Sequence, residues 1–185
     1  MKIVAVFHGK KVEGVDVTKR MAAIAANPPL SMDGMEKIRS GLLQKIQTIA
    51  LFDAIYSSRM ARALDTASVI AMALNMEIQT IGELGQKGNL DSGQVIAYPG
   101  FENDDELTWQ SCGLRAIAQI WMKERVGTIL IVSHRPIIAG LIAAAKGINN
   151  KAGIKNILND PNLVKDGYVV FEYYEGPEGG KLSLA

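Results

Sequence analysis

The chain of 185 residues holds only two imidazoles, and each closes an apolar run. Met1-Lys2-Ile3-Val4-Ala5-Val6-Phe7 leads into His8-Gly9, and Thr128-Ile129-Leu130-Ile131-Val132-Ser133 leads into His134-Arg135-Pro136. Each β-branched run reads as a buried strand followed at once by a polar turn. Both histidines therefore sit just past strand ends, where open α/β sheets bind their ligands. If the two strands are neighbours, the rings can meet. A lone histidine beside an apolar run is ordinarily a satisfied core or surface residue. Two in equivalent settings, with no third in the chain, point to a shared site.

A third stretch adds charge. The strand Asp53-Ala54-Ile55-Tyr56 runs through Ser57-Ser58-Arg59-Met60-Ala61 into a helix, with Arg62 near its first turn. A helix start offers backbone N–H groups and the positive end of a dipole, which suits an anion. An arginine there adds a planar fork matched to phosphate oxygens. Two histidines and a helix-start arginine make a phosphate-ester site.

These residues resemble the histidine phosphatase superfamily, also called phosphoglycerate mutase-like. The family's Arg-His-Gly reads Phe7-His8-Gly9 here, so its first arginine, a phosphate ligand, is replaced by phenylalanine. Its Ser-Ser-x-x-x-Arg-Ala-x-x-Thr-Ala signature is met in full by Ser57-Ser58 and Arg62-Ala63-Leu64-Asp65-Thr66-Ala67. Its Ser-His is Ser133-His134, and its Leu-Ser/Thr-x-x-Gly helix opening is Leu30-Ser31-Met32-Asp33-Gly34.

The resemblance implies phosphoryl transfer through His8, with His134 as a second catalytic imidazole. It implies phosphate binding by Arg62, Ser57 and Gly9. Arg59 is either a further phosphate ligand or an exposed charge. Glu83, shortly after the strand Glu77–Ile81, matches the family's proton donor, against a plain reading as a loop glutamate. No metal or other cofactor is required. The expected activity is phosphomonoester hydrolysis on a small ester or a phosphorylated protein side chain. Two alternatives stay open: a binding or regulatory protein of the same fold with impaired catalysis, and a phosphoglycerate-type mutase.

Composition bounds the rest. The length suits one domain, 1–185. A net charge of +1 gives no global field for a nucleic-acid backbone or an anionic membrane, so anion binding must be local. Cys112 is the single cysteine, which fits a reducing compartment and a packing role. Neither zinc-ligand spacing nor a secretory leader is visible, and the expected location is cytoplasmic.

Strand and helix patterns alternate, so the expected fold is α/β, a three-layer α/β/α sandwich with a largely parallel sheet. A short helix is expected over Thr18–Ala26. Ser31 caps the next helix, and Leu64, Ala67, Ala71 and Leu74 mark the buried stripe of the Arg62 helix. Gly85–Glu106 reads as a polar loop. In the following helix Leu114, Ile117, Ala118 and Trp121 share a face, and Tyr168–Tyr174 with Lys181–Leu184 reads as a terminal hairpin.

Overall fold

The computed structural model describes residues 1–12, 29–85, 89–90, 94–95, 106–177 and 179–185. The helix expected over Thr18–Ala26 and most of the Gly85–Glu106 stretch lie outside them. Eight strands are described: β1 (Lys2–Phe7), β2 (Ala54–Ser57), β3 (Ile78–Thr80), β4 (Asn89–Leu90), β5 (Gln94–Val95), β6 (Thr128–Ser133), β7 (Tyr168–Gly176) and β8 (Gly179–Leu184). The helices are α1 (Met32–Lys37), α2 (Leu43–Ile49), α3 (Ala61–Leu74), α4 (Glu106–Glu124), α5 (Arg135–Ala145) and α6 (Lys151–Asn159). A π-helical segment, Ile38–Leu42, joins α1 to α2.

The main sheet has the order β3-β2-β6-β1-β7-β8. Strands β3, β2, β6 and β1 run parallel; at one side β7 pairs antiparallel with β1, and β8 antiparallel with β7. Side chains alternate between the two faces of a strand. Ile3, Ala5, Phe7, Tyr56, Ile129 and Ile131 therefore meet α4 and α5 on one face. Val4, Val6, Ile55, Leu130 and Val132 meet α1, α2 and α3 on the other. Burial on both faces explains why the β1 and β6 sequences are continuous apolar runs rather than alternating ones.

Two helices are phased differently from the sequence expectation. On α4, Leu114 and Ala118 are exposed, and Cys112, Gly113, Ala116, Ile117 and Ile120 are buried. The helix is held close to α5 by small residues. A Cβ on Gly140 would lie 2.7 Å from the backbone of Gln110, and one on Gly113 would lie 2.9 Å from Leu141. Close approach selects small side chains at the seam, so the largest apolar residues do not mark it. On α3 the buried stripe is Arg62, Ala63, Thr66, Ala67, Ile70 and Ala71, with Leu64 and Leu74 only half-buried. Its polar members belong to the site.

Candidate active site

The strand register builds the site. Phe7 stands beside Ser133, and Ser57 beside Val132. The ladders continue one residue further, with His8 N–H donating to Ser133 C=O (3.1 Å) and Ser58 N–H to Val132 C=O (3.0 Å). His8, Ser58 and His134 thus leave three adjacent strand ends at one level. The two imidazoles lie with ring centroids 5.0 Å apart, tilted by 56°.

The partners of His8 define its tautomer. Nδ1 is 2.8 Å from Gly9 C=O, which can only accept, so Nδ1 carries the proton. Nε2 takes the Nε–H of Arg62 at 3.1 Å, and a guanidinium can only donate, so Nε2 holds a lone pair. Burial first, then the charges of Arg62 and Lys11, lower the His8 pKa to about 4, against the raising effect of the Gly9 carbonyl. At neutral pH the ring is uncharged, with its lone pair on Nε2.

Gly9 serves this arrangement through its backbone. Its N–H donates to Thr66 Oγ1 (3.0 Å), and Thr66 Oγ1 donates to Arg62 C=O (2.7 Å). A Cβ at Gly9 would fall 2.7 Å from Leu30 and 2.9 Å from Ile38. The α1 opening packs on the same turn. Ser31 N–H and Ser31 Oγ both donate to Lys10 C=O, Gly34 N–H donates to Ser31 Oγ, and Asp65 Oδ2 accepts Leu30 N–H. The two motifs of the sequence are thus one clamp around the His8-Gly9 turn.

Arg62 is 8% exposed and stays charged, although burial lowers its pKa from the ordinary arginine value. Its Nη2 also lies 3.7 Å from Met60 Sδ. His134 is fully buried, with Nε2 2.8 Å from Ser58 Oγ. Its Nδ1 has no hydrogen-bond partner among the described residues. Burial, then His8 and Arg62, hold its pKa well below the ordinary imidazole range. Both α3 and α5 begin here, and the side chains of their N-cap residues, Met60 and His134, make no capping hydrogen bond. Two neutral rings, a buried guanidinium and two helix dipoles suit an anion.

The remaining sequence candidates are placed differently. Ser57 Oγ donates to Ser58 C=O, along its own chain. Arg59 is exposed. Glu83 follows β3 on a short turn and is half-buried, with Gln119 Nε2 donating to its Oε1 at 2.8 Å. That turn is tied to the site by Ser133 Oγ, which donates to Leu84 C=O at 2.6 Å. Phe7 packs into the core beneath the histidines, with Ile81, Leu84 and Ile138 in the same cluster. Arg135, another cation near His134 in sequence, donates from Nη2 to Asp160 C=O. Sequence reasoning passed over Ser58 and Thr66 as site residues. Ser58 and Thr66 stood inside the arginine signature, but only the folded contacts show which hydroxyls face the histidines. Among the described residues no group of three or more His, Cys, Asp or Glu could hold a metal ion, and no helix is long and apolar enough to cross a membrane.

Residues 3–86 match the family model for the histidine phosphatase superfamily (branch 1). Solved structures show the same fold. Bacillus stearothermophilus YhfR superimposes with a TM-score of 0.68 at 19% identity, covering 100% of this chain and 95% of that one. A mycobacterial glucosyl-3-phosphoglycerate phosphatase gives 0.65 at 16%, covering 100% and 96%. Phosphoserine phosphatase from Entamoeba histolytica, in complex with 3-phosphoglyceric acid, gives 0.63 at 18%, covering 98% and 94%. No curated protein matches the chain by sequence. The fold is thus phosphoglycerate mutase-like, and the stretch from β1 through β3, which carries His8 and Arg62, is similar to the histidine phosphatase superfamily.

Proposed function

We propose that the chain hydrolyses phosphomonoesters through a phosphohistidine on His8. The observation that carries this reading is the His8 ring itself: Nδ1–H is anchored on Gly9, and the Nε2 lone pair stands beside Arg62 and 5.0 Å, ring to ring, from His134. When a phosphoryl group enters, Arg62 turns its N–H groups from Nε2 to a phosphoryl oxygen. The lone pair then attacks phosphorus, the N–P bond forms and the ester P–O bond breaks. Arg62 and His134 hold the equatorial oxygens, so positioning and electrostatics supply most of the rate. Glu83 gives its proton to the leaving oxygen. In the second half, water attacks phosphorus, its proton passes to Glu83 and the N–P bond breaks. Substrates are small phosphomonoesters or phosphorylated protein side chains, and the phosphatase names of two structural neighbours support hydrolysis.

One observation favours a second reading. Phe7 occupies the position of the family's first arginine and is buried in the core, which leaves Arg62 as the guanidinium bonded to His8. A protein lacking that donor could hold a phosphorylated ligand with little turnover. A screen of varied phosphomonoesters, with His8→Ala as the blank, separates the two. Turnover lost in His8→Ala supports the enzyme. Vanadate binding with no turnover on any ester supports the ligand-holding protein.

A further inference from the structure

We propose that Ser58 is a positioning residue that sets the tautomer of His134, so that Nδ1–H is the donor offered to a phosphoryl oxygen. The assignment rests on the anion-binding reading of the site above. Ser58 Oγ already accepts the N–H of Met60 at 3.1 Å. The buried hydroxyl has one proton to place, and His134 Nε2, 2.8 Å away, is the acceptor within its reach among the described residues. A nitrogen that accepts from a hydroxyl is the unprotonated one, so the His134 proton sits on Nδ1. That nitrogen is buried without a partner among the described residues, in a ring whose centroid is 5.0 Å from that of His8. A buried N–H left unpaired is costly, so the pocket favours a ligand oxygen that accepts it. Ser58 is fully buried, sits on the strand end next to that of His134 and presents no other function to solvent. Its neighbour Ser57, whose hydroxyl bonds the backbone, has no such role.

The chain's two histidines make the test tractable. Long-range 15N–1H correlation spectra of the full chain report which imidazole nitrogen is protonated, and His8→Ala leaves His134 as the single ring to assign. The expected spectrum has Nδ1 protonated and Nε2 bare, with the Nδ1 signal moving on addition of vanadate. Ser58→Ala should shift the population toward Nε2–H and weaken vanadate binding by ~10-fold or more, on the scale of one pocket donor. Ser58→Cys, a weaker donor, should fall between. If Ser58→Ala loses its fold by orphaning Met60 N–H, the native spectrum with and without vanadate decides. A native Nε2–H form, or an unchanged tautomer and vanadate affinity in a folded Ser58→Ala, overturns the proposal. Absence of ester turnover with the expected tautomer and vanadate response would count against the hydrolytic reading and leave the Ser58 assignment standing.

Discussion

Arg62 carries a positive charge in the first turn of α3, where the helix dipole opposes it, and in a pocket that leaves it 8% exposed. An anion bound against Nε2 of His8 would lie beside this guanidinium, whose Nε–H reaches the same nitrogen. Arg62→Ala should therefore lower kcat/KM by ~10²–10³ and weaken vanadate binding, while Arg39→Ala, an exposed helix control, should change neither. Glu83→Gln should slow alkyl phosphates, whose alkoxides need a proton, far more than nitrophenyl phosphate. Uniform loss on both esters would assign the proton to another group. The two imidazoles and Arg62 were legible because strand ends and helix starts leave strong patterns. The hydroxyls were not. Ser57 and Ser58 are chemically identical in sequence, and only the β2–β6 register puts the second beside His134. By the resemblance, Phe7 stands where a phosphate ligand is expected. In the fold it belongs to the layer beneath, because strand alternation sends it toward Leu84 and Ile138.

At the scale of elements, α1 and α3 act as jaws on the turn after β1. The Thr66, Asp65 and Ser31 bonds fix Gly9, Leu30 and Lys10 in turn. Thr66→Val keeps the volume but removes the acceptor of Gly9 N–H. It should cost about 1–3 kcal/mol in denaturant unfolding and lower kcat more than it raises KM, because the His8 anchor loosens. The glycines of this region divide sharply. A Cβ at Gly34 would lie 2.5 Å from Lys10 C=O, whereas Gly41 has nothing within 4 Å. Gly34→Ala should destabilise by ~1–3 kcal/mol and depress turnover, and Gly41→Ala should be neutral or stabilising by under about 1 kcal/mol. The alternation of strands and helices and the terminal hairpin were readable from hydrophobic pattern and turn residues. The phase of α4 was not, since its seam with α5 is chosen by the room at Gly113 and Gly140 rather than by side-chain size.

For the molecule as a whole, a net charge of +1 means that any anion would be held by a local field rather than a global one. The same field sets the pH response. The His8 pKa is about 4 in the fold against 6.5 for an ordinary imidazole, so between those values the unfolded chain binds more protons. Stability from this group is full above pH 6.5 and is lost as pH falls through 4, and His134 acts in the same direction. The urea midpoint should fall over that window, with a smaller fall in His8→Ala. The acid limb of kcat/KM, which reports the free protein, should lie near pH 4 rather than 6.5. The most direct test of the chemistry is to mix the protein with a turned-over ester, quench within a single turnover and map the phosphorylated peptide. The prediction is a phosphoryl group on His8, labile to acid, stable to base and absent from His8→Ala. Steady hydrolysis with no phosphoryl group on His8, or equal labelling of His8→Ala, would contradict it.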